Sequence, residues 1–194
     1  MRLTFVIGAA LAISVTGHAQ ALPPLGVIEK LDFHIERSVG PSTLVGDAAY
    51  TEILQKSDFP TEWGGGWSGY GKRFASTVAC SGIHGALAFA LDSTLHEDPR
   101  YFPALTGGFW RRTGHAFRGV ILTRTDRGSE TLSIWRLGSD YGEAYLSNQW
   151  YPRRLNTVGL GFAEGSLQLG FDALSNLVSE FRTDLQAKIR RRKP

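Results

Sequence analysis

Cysteine is almost absent from this chain of 194 residues: Cys80 stands alone. One thiol cannot form an internal disulfide, and a zinc site built from cysteines is excluded. No cysteine follows the apolar N-terminal run, so a lipoprotein attachment site is missing as well. The five histidines include no HxxxH or HxH pair, the spacings that place two imidazoles on one ion, so neither a metal site nor a cofactor is expected. No GxSxG elbow occurs to support a serine nucleophile. "GGGWSGYG", Gly64 to Gly71, lacks the GxxxxGK[ST] spacing of a phosphate loop. No long period repeats, which excludes a solenoid, and alternating strands joined by Asn-Gly turns are not seen.

What the sequence does hold begins with MRLTFVIGAALAISVTGHAQALPP. Arg2 precedes an apolar run from Leu3 to Gly17, small residues follow, and Pro23 and Pro24 come next. This is the pattern of a cleaved signal peptide over residues 1–21, implying export to the periplasm or to an envelope membrane, the outer membrane included. The run is short beside the ~20 residues of a spanning helix. Residues 22–187 then make one helical domain. The net charge of +3 gathers in a basic tail, residues 188–194. In an exported protein such a tail meets anionic lipid or is solvated, and no nucleic-acid partner is expected.

Helical periods dominate, so the fold class is all-α, a compact bundle of about five or six helices. Residues 155–185 show the clearest pattern: Leu160, Ala163, Leu167, Phe171, Leu174, Val178 and Phe181 on one side, Glu164, Gln168, Asp172, Ser175 and Ser179 on the other. Asn156 or Thr157 can cap its start. Residues 131–150 read as a second helix. One face carries Arg136, Asp140, Glu143 and Ser147, the other Ile134, Gly138, Tyr141, Gly142 and Tyr145, and Ser129 or Thr131 caps it after a "TDRG" turn. Residues 109–123 form a shorter helix with Phe109, Thr113, Ala116, Phe117 and Val120 on its apolar side. Two more helices fall near 25–37 and 43–56, parted by "GPS" with Ser42 or Thr43 as cap. "FPTEWGGGWSGYG", Phe59 to Gly71, reads as a loop.

Residues 70–95 stand apart, because from Phe74 to Leu91 there is no formal charge. Length alone would let this segment span a membrane. Its many small residues point instead to a buried central helix, with Ala75, Ala79, Gly82, Ala86 and Ala90 forming a smooth face that another helix can approach closely. The GxxxG pairs Gly138/Gly142 and Gly161/Gly165 carry the same meaning, tight packing inside the domain or self-association.

"GYGKRF", "EDPRYF", "TRTDRG", "YPRRLNT" and "SLQLGFDALSNLVSEF" resemble, in that order, a family of exported bacterial hypothetical proteins. The resemblance covers roughly residues 38–187. That family has no established activity, so the resemblance implies export and one intact domain and supplies no mechanism. Arg127 departs from the family pattern, which has a small residue there more often.

One polar stretch could carry chemistry: "LHEDPRYF", Leu95 to Phe102. His96 and Asp98 could act as a base pair, and Arg100 could hold an anion. The plainer reading is a helix end before Pro99, with Asp98 bound to Arg100 and with Tyr101 and Phe102 as anchors. Arg111, Arg112, His115, Arg124 and Asp126 are the polar groups that could join them, and antiparallel packing of helices 70–95 and 109–123 would set Asp98 on Arg111 or Arg112 as a clasp. A second pattern sets aromatics beside bases: Trp63, Trp67 and Tyr70 before Lys72 and Arg73, Trp110 before Arg111, Trp150 and Tyr151 before Arg153. Such pairs suit a lipid interface. The function expected is therefore non-enzymatic, an exported envelope protein meeting a membrane surface, envelope proteins or copies of itself. The rival expectation is a periplasmic small-ligand binder or hydrolase using His96, Asp98 and Arg100.

Overall fold

The computed structural model describes residues 23–191. The expected signal peptide, residues 1–21, and the last three residues of the basic tail lie outside the described residues. The chain runs α1 (Val27–Val39), α2 (Pro41–Lys56), α3 (Gly66–Leu95), β1 (Glu97–Asp98), α4 (Phe109–Ile121), β2 (Leu122–Thr125), β3 (Glu130–Leu132), α5 (Ile134–Ser147) and α6 (Val158–Arg191). The fold is mostly helical, as the periodicity predicts. A small antiparallel sheet, in the order β1–β2–β3, interrupts it.

Four rods stand side by side. The first is α1 and α2, joined at Gly40–Pro41, where Pro41 opens α2 and fixes φ for its first turn. This rod lies antiparallel to α3: His34 meets Asp92, Ser38 meets Gly85, Asp47 meets Ser81 and Thr51 meets Thr77. On another side of α3 lies α5, also antiparallel, with Gly138 against Leu91 and Gly142 against Leu87. Next comes α6, whose Gly161 and Gly165 admit the rings of Tyr145 and Tyr141. Both GxxxG pairs therefore mark close packing inside the domain. Past Asp172, α6 leaves α5 and packs on α4, Asn176 donating to the Ala116 carbonyl. Thus α4 and α5 stack end to end along α6. The hairpin between them turns at Thr125–Gly128, where Gly128 N–H donates to Thr125 at 2.8 Å.

The faces of the helices are reversed relative to a water-soluble bundle. Arg73, Asp92, Thr51, Asp140 and Glu180 have almost no exposed surface, while the buried apolar set is small and consists largely of alanines with Val120, Trp135 and Leu155. On α6 the row predicted from its period is real but faces outward: Leu167, Phe171, Leu174 and Val178 are exposed, and Glu180 and Asn176 are buried. On α5, Arg136, Asp140, Glu143 and Ser147 are buried and Ile134 and Leu146 are exposed. A 3.6-residue period fixes which side chains share a face, and it does not say which face looks inward.

The structure corrects other expectations. The apolar helix α3 is central, touching α1, α2 and α5, but it is not a buried one: only 17% of its apolar window is buried. Its small-residue face is open, with Ala75, Ala79, Ala86 and Ala90 exposed. The expected loop over 59–71 is shorter, since α3 begins at Gly66 after a 3-10 turn, Thr61–Trp63. Arg73 makes this possible. Its fully buried guanidinium gathers the carbonyls of Phe59, Pro60 and Gly64 and the side chain of Gln55. The cap of α2 is Gly40 rather than Ser42 or Thr43, and that of α5 is Ser133 rather than Ser129 or Thr131. The end of the supposed 109–123 helix and the start of the 131–150 helix are strands. Thr157 does cap α6, accepting from Leu160 N–H at 3.1 Å.

Candidate functional site

At the end of the bundle where α3 finishes, the sequence-predicted polar residues do gather, in two separate groups. His96 takes a left-handed conformation (φ 56) and closes α3 through its backbone N–H on Asp92. Its side chain is 80% exposed, 3.6 Å from Asp126. Asp98 is buried and held by Arg100 through both carboxylate oxygens, at 2.9 and 2.6 Å. That pair also holds the Arg100 guanidinium charged more firmly than usual, its hydrogen bonds to the Asp98 carboxylate outweighing burial. The predicted clasp between Asp98 and Arg111 or Arg112 does not form, because α3 and α4 are not packed together: α4 sits on α6 instead. Arg112 pairs with Glu180 and Asp184, and Arg111 is exposed.

Glu180 is the centre of the second group. It accepts from Tyr101 OH at 2.7 Å, from Ala104 N–H and from Arg112. Tyr101 OH also lies 3.0 Å from His115 Nδ1. Burial would raise the Glu180 carboxyl, but these donors outweigh it and hold it below the usual carboxylate range. The same burial and the Glu180 charge push the Tyr101 phenol up. A small pocket of about 70 Å³ opens here, lined by Arg100, Tyr101, His115, Arg118 and Arg124. Arg124 lies over the Phe102 ring at 4.4 Å. His96, Asp98 and Asp126 do not line the pocket. Sequence reasoning missed Glu180 as the hub, and also Lys30, whose ammonium is buried between the Asp92 and Glu97 carbonyls and Asp126.

The aromatics form a second landmark. Trp63 stacks on Tyr151, centroids 5.2 Å apart. Trp67, 89% exposed, meets Tyr70 edge-on. Trp150 donates to Ser76 at 2.9 Å. Five of the six predicted interface aromatics thus share the end of the bundle where α3 begins, beside Lys72, Arg153 and Arg154. Trp110 is exposed at the far end, on α4.

Between the two ends lies a cleft that sequence reasoning did not single out. Its floor is Cys80 and Ser81 of α3 with Glu143 and Ser147 of α5. Its walls are Asp47 and Tyr50 of α2 and Glu164, Gln168 and Phe171 of α6, and Tyr151 closes one end. The cavity holds about 270 Å³. The Ser81 hydroxyl reaches both Asp47 oxygens. The only signal in the sequence was the sign of the charges: between Leu137 and Trp150, and between Val158 and Phe181, every charged residue is acidic.

No protein family, curated protein or solved structure matches the chain.

Proposed function

We propose that this chain is an exported, non-enzymatic envelope protein embedded in lipid, its helices turning charge inward and apolar side chains outward. The observation that carries the reading is the reversal of faces on α5 and α6, where acidic and basic groups are buried and Leu146, Leu167, Phe171 and Leu174 are exposed. In water, so much exposed apolar area on one small domain would drive aggregation; in hydrocarbon it is the stable arrangement. Three further features support it. The uncharged stretch Phe74–Leu91 spans 18 residues and about 27 Å, close to the hydrocarbon thickness. In the stretches of α2, α5 and α6 beside it, Asp47, Asp140, Glu143 and Glu164 turn inward, and Glu52, beside Thr51 and Thr77 towards the aromatic end, is the one exposed charge. The aromatic end, with Lys72, Arg153 and Arg154, suits the headgroup layer.

The open alanine face of α3 is where a helix of an envelope partner or of a second copy would approach. The rival reading, a periplasmic ligand binder or hydrolase, has less behind it. Asp98 and Arg100 close on each other, and His96 stands outside the pocket that holds His115 and Arg124.

Fractionation tests the proposal. Full-length protein is expressed in a bacterium with two membranes, signal processing is read by mass, and membranes are washed with carbonate. Processed protein that resists the wash and dissolves only in detergent supports lipid embedding. Processed protein found in the soluble periplasmic fraction overturns it.

A further inference from the structure

The cleft between α2 and α6 combines three properties seldom found together. It is acidic, its acids lack cationic partners, and part of its wall is aromatic. Asp47, Glu143 and Glu164 line it, and no Lys or Arg does. Carboxylates buried in a bundle are normally paired, because desolvating a charge is unfavourable unless an opposite charge or several donors replace water. Asp92 has His34, Asp98 has Arg100, Asp172 has Arg136 and Glu180 has Arg112, while buried Glu97, without a cation, accepts from the Trp135 N–H at 3.2 Å.

Glu143 breaks the rule. It is 4% exposed and faces the cavity. Beside it stand the Cys80 thiol and the Ser147 hydroxyl. The serine proton is already committed to the Ala144 carbonyl at 3.0 Å, and a thiol is a weak donor. No salt bridge reaches Glu143 among the described residues. Burial raises the Glu143 carboxyl, as it raises Asp47 and Glu164, the last to about 7 with the Glu143 charge adding to the effect. All three acids thus face a cavity without a cation, and an ammonium group seated there would draw them to the charged form.

A bare metal ion does not fit this geometry. Among the described residues no three His, Cys, Asp or Glu side chains come close enough to hold one. The carboxylates come from three helices, α2, α5 and α6, and Tyr50, Tyr151 and Phe171 line the same cavity. Aromatic faces attract organic ammonium groups, and separated carboxylates suit a ligand that carries its charge on an extended carbon chain. A volume of about 270 Å³ lies just below the ~300–1,000 Å³ of drug-sized ligand sites, right for a small molecule of this class.

We infer that the cleft binds a small organic cation, an aliphatic amine whose ammonium groups pair with Glu143, Glu164 and Asp47 and whose carbon chain lies on Tyr50, Tyr151 and Phe171. The inference does not rest on lipid embedding, since the cleft keeps the same walls whatever covers the outer faces. A protein that washed off membranes could still bind an amine.

The test uses the full-length protein purified in detergent and two probes, putrescine and spermidine, with sodium, magnesium and calcium chlorides as comparisons. Thermal unfolding and calorimetry should show saturable stabilisation by the amines and none by the metal salts beyond ionic strength. Glu143→Gln and Glu164→Gln should each weaken binding at least about tenfold, the loss of one charge-assisted hydrogen bond, while Glu52→Gln on the outside of α2 should not. Should Glu143→Gln fail to fold, the wild-type protein still decides: carbodiimide should couple bound putrescine to Glu143 or Glu164 as an amide, the carboxyl oxygen leaving in the urea, at amine concentrations too low to couple the exposed Glu52. No stabilisation by either amine, coupling at Glu143 and Glu164 no more efficient than at Glu52, or stabilisation by a divalent metal instead would each overturn the inference.

Discussion

Gly85 and Ser38 bring α3 and α1 together: a β-carbon built on Gly85 would stand 2.8 Å from the Ser38 β-carbon and overlap its hydroxyl. Ser38 is buried and Gly85 is in mid-helix, so neither can move aside. Gly85→Ala should therefore destabilise by about 1–3 kcal/mol through overpacking. Gly71→Ala, on the same helix but with nothing within 4 Å, should be neutral or stabilise by up to about 1 kcal/mol. Denaturation midpoints of the two variants in one detergent compare them directly. Equal effects would mean that the contact is looser than the distances say.

Arg73 is 0% exposed and holds the turn before α3 by its carbonyls. Arg73→Lys keeps the charge but not the planar fork, so most of those carbonyls lose their donor. The expected loss is at least about 3 kcal/mol, from several buried acceptors left without partners. Limited proteolysis should locate it, with new cleavage between Ser57 and Gly65. Resistance equal to wild type there would remove Arg73 from its role.

Stability should fall on acidification through Glu180. Burial raises this carboxyl, but Tyr101, the Ala104 N–H and Arg112 together lower it further. A group whose folded pKa lies below its unfolded value contributes in full above the unfolded value, about 4.3 for a glutamate. That contribution is lost as pH falls towards the depressed folded value. Glu180→Gln should be less stable at neutral pH and should flatten the acid limb. An acid limb of unchanged slope would show that other groups govern it.

Lipid embedding makes an unusual demand on outward positions. Ala163→Lys puts a charge on the exposed face of α6 at a residue that lines no described cavity. In water this surface change should be nearly silent or improve solubility. In hydrocarbon it should cost about 2.5–3.5 kcal/mol and reduce the amount recovered in membranes. Thr183→Lys, further along the same helix, should behave as wild type. Equal membrane recovery for the two variants would count against the reading.

Much of the helical layout was legible in the sequence, because period and breakers are local. Proline, glycine and the "TDRG" turn sit where the chain turns. The small sheet was not legible, since strands of two to four residues have no period to detect. The direction of each face was not legible either. Leu167 and Phe171 on one side of α6 and Glu164 and Asp172 on the other look the same for a helix facing a core and a helix facing lipid. Only the lack of cations opposite Glu143 and Glu164 hinted that these acids were not a solvated face. Of the polar residues near His96, the sequence identified the Asp98–Arg100 pair, whose partners are two residues apart. It could not reach Glu180, which lies far away in the chain from Tyr101 and Arg112.

The length of α6 has a consequence of its own. At about 1.5 Å per residue, its 34 residues make a shaft of about 51 Å, against a hydrocarbon layer of about 30 Å. In the proposed lipid-embedded state some 20 Å of it would stand clear of the oil, the portion that carries Arg182, Lys188 and Arg190. Because α4 is fastened to that portion by Arg112 and Glu180, α4 would then be carried along as a collar at the waterline. There its exposed Phe109, Trp110 and Phe117 would set how deep the whole bundle floats.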